Sequence, residues 1–270
     1  MSTATAPMEI GRIRLVVRDL SRVADFYARA LGLEKLSSDG GGVALGAGDR
    51  VLVELQGDPA ARIRSPREAG LFHTAFLLPA RADLGAWVHH ASETRLPVQG
   101  ASDHLVSEAI YFADPEGNGI EIYADRPRSG WTHPDGSIRM ATDPLDIPDL
   151  AAAARAPWRG APQGTVVGHV HLQVGNVAEA EAFYAGTLGF AVTAHYPGAA
   201  FFGAGGYHHH IGSNVWNSRG AGRREGGTGL ASVELLAEGG ALDRIAARTG
   251  GATRIADPWG TDIVLTRKAA

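Results

Sequence analysis

Eleven histidines are spread along a 270-residue chain that contains no cysteine. Any metal ion must therefore be held by nitrogen and oxygen ligands, and disulfides, thiolate sites and cysteine nucleophiles are excluded. The densest group lies in "GYHHHIGSNVW" (206–216), where three consecutive histidines stand between a glycine pair and an apolar-polar alternation. Read as a strand, this segment turns His208 and His210 to one face and His209 to the other, because side chains alternate. Three such neighbours cannot all bind one ion. Whether they are ligands, catalytic groups or a polar strand end depends on the elements around them.

Those elements repeat. "GRIRLVVRDLSRVADFYARALGL" (11–33) aligns without a gap on "GHVHLQVGNVAEAEAFYAGTLGF" (168–190). Each copy alternates as a strand, meets an Asp or Asn suited to cap a helix, and stops at a glycine. Short strand signals follow: "GVALGAG" and "RVLVELQG" in the first copy, "AAFFGAG" and "HHHIGSNVW" in the second. A looser pair matches "GLFHTAFLLPARADLGAWVHHA" (70–91) with "GLASVELLAEGGALDRIAART" (229–249). It closes with "DPEGNGIEIY" (114–123) and "DPWGTDIVLT" (257–266). The expected fold class is α+β, with four βαβββ modules in two halves. Residues 1–125 carry modules one and two, residues 166–270 carry modules three and four, and the Pro-, Gly- and Asp-rich stretch 126–165 reads as a linker.

Composition narrows the function. With 44% hydrophobic and 20% charged residues the chain is long enough for one large or two ordinary domains. No apolar run approaches the ~18 residues needed to cross a bilayer, and "MSTATAPMEI" lacks the basic start and apolar core of a signal peptide. A cytoplasmic location and no membrane partner are expected. A formal charge of −4 and the lack of basic runs with interleaved aromatics argue against nucleic acid. A homo-oligomer is the expected assembly.

"HVHLQV…FYAGTLGF" and "DPEGNGIEIY" resemble the vicinal-oxygen-chelate superfamily, which includes glyoxalase I, bleomycin-resistance proteins and type I extradiol dioxygenases. "GLFHTAFLLP", "DHLVSEAIYFADPEGNGIEIYADRPR" and "GYHHHIGSNVW" are more closely similar to the bacterial catechol 2,3-dioxygenase group. The resemblance spans nearly the whole chain apart from its first residues and parts of the linker. It implies that paired modules form a cup, and that two histidines and one glutamate hold Fe(II) as a facial triad leaving three positions for a catechol and dioxygen. Mn(II) accepts the same ligand set.

Carried onto this sequence, the first-strand histidine of the family is His169 in the second half, and its counterpart in the first half is Arg12. The partner module offers His73 and Glu121, whereas the fourth module has Ser232 and Val264 at the matching positions. Pairing within halves leaves both triads incomplete. Pairing the second module with the third completes one: His73, Glu121, His169. The cup is therefore expected to form across the halves, with modules one and four making a second cup that holds no metal.

The resemblance also implies groups around the ion. Tyr111, ten residues before Glu121, matches a tyrosine whose hydroxyl bonds the substrate oxygen, and His104 matches a histidine that contacts substrate. The expected acid-base group is His209, with His210 as the alternative should the register slip. A histidine suits this role because its ordinary pKa near 6.5 lets it take and return a proton near neutrality. His208 and His210 are expected to face away. His89 and His90 are expected to face solvent on a helix, His133 to lie in the linker and His195 in a loop. The implied activity is O2 insertion into catechol or a substituted catechol, giving a 2-hydroxymuconate semialdehyde. Two rivals stand beside it: a glyoxalase-I-like isomerase using Zn(II) or Ni(II) with four protein ligands, and a non-catalytic binding protein of the bleomycin-resistance type.

Overall fold

A computed structural model describes residues 6–131 and 138–268. Module one runs β1 (Met8–Val17), α1 (Leu20–Leu31), β2 (Glu34–Asp39), β3 (Gly42–Ala47), β4 (Arg50–Gly57). Module two follows as β5 (Gly70–Leu77), α2 (Arg81–Glu93), β6 (Gly100–Asp103), β7 (Ser107–Ala113), β8 (Gly119–Asp125). The connecting stretch carries α3 (Ile147–Ala152). Module three is β9 (Val166–Gln173), α4 (Val177–Glu181), β10 (Ala191–Tyr196), β11 (Ala199–Gly203), β12 (Ile211–Asn214). The last module is β13 (Gly229–Ala237), α5 (Gly239–Thr249), β14 (Arg254–Ala256), β15 (Asp262–Arg267). It has one strand fewer than expected among the described residues, because only a short turn separates the helix end from the closing pair.

Local chemistry explains the elements. Asp19 caps α1 by accepting from the Arg22 amide, and Gly32, at φ 64, ends it in the left-handed region that glycine enters without a Cβ clash. Asn176 caps α4 in the same way, accepting from the amides of Ala178 and Glu179. Alternation along β1 buries Ile13, Leu15 and Val17 and leaves Arg14 exposed. β9 is buried along its whole length, as suits a central strand covered on both faces.

The strands form two sheets, ordered β14-β15-β13-β1-β4-β3-β2 and β10-β11-β12-β9-β5-β8-β7-β6. The first joins modules one and four, the second modules two and three. β1 pairs antiparallel with β13, and β5 with β9. Each sheet thus draws one module from each half, which is the crossed arrangement that the ligand positions required. The main apolar core lies between sheets and helices, with two smaller clusters around Ala75 and Trp131, and Trp87 of α2 stacks on Phe112 of β7 at 5.3 Å and 23°.

The stretch read as a linker is more than a connection. Trp131 and Leu150 are buried, Arg81 of α2 pairs with Asp149 of α3 at 2.6 Å, and residues 138–142 return to the second sheet. Its polar composition hid this, since only a few apolar residues are needed to pin a segment to a surface.

Candidate active site

The central strands of the second sheet bring the three expected ligands together. In the pairing across β8, β5 and β9, Ala75 stands between Glu121 on one side and His169 on the other. His73 lies two residues back from Ala75 and so shares its face. The small Ala75 side chain leaves the space into which the three polar groups lean. His73 Nε2 lies 3.1 Å and His169 Nε2 3.4 Å from Glu121 Oε2, and one ligand atom from each residue falls within 4.8 Å of the others. All three residues are buried, with at most 6% exposure.

Two nitrogens and a carboxylate oxygen are the donors of a facial site for a divalent first-row ion. Ligand atoms about 2.1 Å from such an ion and at right angles lie about 3 Å apart, close to the spacing seen. His73 Nε2 is enclosed and makes no well-formed hydrogen bond despite its approach to Glu121, so its lone pair is uncommitted. Burial alone would raise the Glu121 carboxyl, but the nearby His169 and His73 outweigh it and hold the group well below the usual carboxylate range. Burial lowers His169 to about 4 against the opposing pull of Glu121. A carboxylate and a neutral imidazole are the forms that bind metals.

The first sheet shows how the matching positions were filled. The place of Ala75 is taken by Glu234, opposite Val264 on β15. Arg12 reaches Glu54 at 2.9 Å and Glu234 at 3.2 Å, while Arg14 pairs with Glu54 at 2.7 Å. An ion-pair cluster occupies the floor of that cup.

A cavity of about 660 Å³ opens over His73, Glu121 and His169. Tyr111 sits opposite Glu121 on β7 and enters this cavity with His104. His104 Nδ1 lies 2.6 Å from the Ala141 carbonyl, which can only accept, so Nδ1 carries the proton. With the ring neutral, Nε2 accepts the Tyr111 hydroxyl at 2.6 Å. Burial, with the Glu121 charge, pushes the Tyr111 phenol well above its usual range.

His209 also borders the cavity, its ring 4.0 Å from that of His169. The strand expected to carry the three histidines begins only at Ile211, after Gly205 and Gly206 turn the chain at φ 60 and 69. The alternation rule therefore fails, because it holds only within an extended strand. His208 does not face away from His209: their Nδ1 atoms are 2.8 Å apart. His210 is the residue that points elsewhere, accepting from the Ala204 amide at Nδ1 and packing against Tyr207 and Phe190. It is not among the residues that line the cavity, whereas His209 is. Burial, followed by the charges of His169 and His208, lowers His209 well below its ordinary value.

Other histidines part from expectation in smaller ways. His195 lies on β10, not in a loop, and pairs with Glu181 at 2.8 Å at the cavity mouth. His89 is exposed as expected, while His90 is half-buried with Nε2 2.8 Å from the Arg29 carbonyl oxygen. His133 lies outside the described residues.

Sequence reading missed His171 and the wall contributed by Ile138, Met140 and Ala141. His171 is 4% exposed, stands opposite His73 and leans over Gly212, where a Cβ would lie 3.0 Å from its Cγ. Its signal was present: two residues after His169, it shares that residue's strand face. The connecting wall had no such periodic signal.

Comparison with known proteins identifies the family of the chain. The sequence profile of the Glyoxalase/Bleomycin resistance protein/Dioxygenase superfamily matches residues 9–122 and 166–265. The chain is 41% identical over 227 residues to the catechol-2,3-dioxygenase of Bacillus subtilis (strain 168), covering 82% of this chain and 79% of that protein. A shorter match, 37% over 79 residues, links it to biphenyl-2,3-diol 1,2-dioxygenase 3 of Rhodococcus globerulus, covering 27% of this chain and 40% of that protein. Among solved structures, glyoxalase I from Zea mays has a TM-score of 0.57 at 16% identity, over 96% of this chain and 92% of that one. The cppA protein of Streptococcus pneumoniae TIGR4 has a TM-score of 0.55 at 9% identity, over 96% and 98%. At these identities the structural likeness is one of fold.

Proposed function

Since the chain belongs to the Glyoxalase/Bleomycin resistance protein/Dioxygenase superfamily, we propose that it is an extradiol dioxygenase that opens the ring of catechol or a substituted catechol. The observation that carries this reading is the convergence of His73, Glu121 and His169 under a cavity large enough for an aromatic ring. These residues would hold Fe(II), which when bound supplies chelation of the two diol oxygens and the electron transfer that makes dioxygen reactive. The sum is catechol plus O2 giving 2-hydroxymuconate semialdehyde, with both oxygen atoms retained.

The chain's own groups bind the ring and handle protons. Phe72, Phe201, Trp216, Ile138 and Met140 line an apolar wall against which an aromatic ring packs. His209 takes a proton from a diol hydroxyl and returns it when the ring opens. Tyr111, with its own proton committed to His104, offers oxygen lone pairs to the hydroxyl of a bound diol. The enclosed floor limits water, which strengthens each of these contacts.

Protein loaded with iron under anaerobic conditions should consume oxygen when catechol is added and form a yellow product. Oxygen uptake absent with a panel of substituted catechols, together with turnover of the methylglyoxal–glutathione adduct, would favour an isomerase instead. Three ligands, with no fourth histidine or carboxylate in the cluster among the described residues, support the dioxygenase over that rival.

A further inference from the structure

The triple histidine contains a hydrogen-bond chain that begins at Asp125, the last residue of β8. Asp125 Oδ1 lies 3.0 Å from His208 Nε2, and His208 Nδ1 lies 2.8 Å from His209 Nδ1. The Tyr207 hydroxyl donates to the same carboxylate oxygen at 3.1 Å, and Tyr123 lies 2.8 Å from Tyr207. His208 is fully buried, clasped by the rings of Tyr207 at 4.2 Å and Trp131 at 5.0 Å. His209 is wedged between His169 and Phe201.

Counting protons gives the chain a direction. A carboxylate can only accept, so His208 carries hydrogen at Nε2. A neutral imidazole has one such hydrogen, which leaves His208 Nδ1 able only to accept. His209 must then carry its hydrogen at Nδ1 and leave Nε2 bare. His209 Nε2 makes no hydrogen bond among the described residues, and the residue borders the cavity.

We propose that Asp125 and His208 are positioning residues that fix the tautomer of His209 and present its bare Nε2 to the substrate. The role rests on the reading of His209 as the proton carrier. It also explains three histidines in a row: the first is the strut, the second the working group, the third a packing residue behind the turn. A base whose proton sat on the wrong nitrogen would face the diol as a donor and could not accept from it.

The tautomer is directly measurable. In the full-length, metal-free protein labelled with 15N-histidine, ring-nitrogen NMR should show His208 protonated at Nε2 and His209 at Nδ1. Finding His209 protonated at Nε2, or His208 at both nitrogens, would overturn the proposal. Asp125→Asn and His208→Phe in the iron-loaded enzyme should lower kcat about 10- to 100-fold, with iron content and the KM for the diol nearly unchanged. Unchanged kcat, or a loss of kcat that merely follows loss of iron, would count against it. Should either variant fail to fold, the measurement on the unsubstituted chain still decides. Absence of diol-dependent oxygen uptake in that unsubstituted chain would defeat the dioxygenase reading, while leaving the tautomer result intact.

Discussion

His73, Glu121 and His169 differ from their repeat mates Ser232, Val264 and Arg12 in one respect that governs the chemistry: each offers an imidazole nitrogen or a carboxylate oxygen, the donors that hold a divalent ion, at the floor of a cup. His73→Ala, His169→Ala and Glu121→Gln should each cut the iron retained after gel filtration to a small fraction of one per chain. Activity should fall more than about 100-fold. Arg12→Ala, which removes the ion pairs to Glu54 and Glu234 in the other sheet, should leave iron content unchanged. Metal analysis of the four purified variants checks both expectations, and retention of iron by His169→Ala would remove the ion from this site.

Strand register, at the scale of elements, makes three residues from distant parts of the chain into neighbours. β5 and β8 can lie side by side there because Gly119 has no side chain: a methyl group would collide with the backbone carbonyl of Phe72. The turn before β8 is fixed by Asp114, which accepts from the amides of Glu116 and Asn118, while Glu116 accepts from the amides of Arg18 and Asp19 at the start of α1. Gly119→Ala should therefore destabilise the fold by about 2 kcal/mol through overpacking between two strands. It should also weaken metal binding, because it separates His73 from Glu121. Urea unfolding and iron titration measure the two effects, and a variant of ordinary stability would contradict this account of the strand contact.

At the scale of the whole molecule, each sheet needs both halves. Residues 1–127 or 128–270 expressed alone should neither bind iron nor unfold cooperatively, since each fragment keeps the unpaired edges of β1 and β5 or of β9 and β13. Mixing the two fragments should restore iron binding. A lone fragment that binds iron with the affinity of the intact chain would refute this. The buried histidines also set a pH dependence. His169, His171, His209 and His210 all have lowered pKa values, His169 at about 4, with burial the leading cause. Their unfolded forms take up protons near 6.5, so below that pH the unfolded chain binds more protons than the folded one. Stability of the metal-free protein should thus fall as pH drops from about 6.5 towards 4, and hold above it. Urea midpoints at pH 7.5, 6 and 5 test the sign; a flat profile would contradict it.

Much of this was legible in the sequence, because repeats expose themselves by self-similarity. The family resemblance implied the ligand positions, comparison of repeat mates singled out His73, Glu121 and His169 among them, and the need for a complete triad pointed to crossed pairing of the modules. Tyr111 followed from the same resemblance, at its spacing from Glu121. The tertiary structure alone decided which histidine of 208–210 meets the cavity, because two glycines at positive φ break the alternation that a strand would impose. It alone joined Asp125 to His208 and brought 138–142 to the cavity wall, since such contacts depend on the path of the chain through space and leave no period in the sequence.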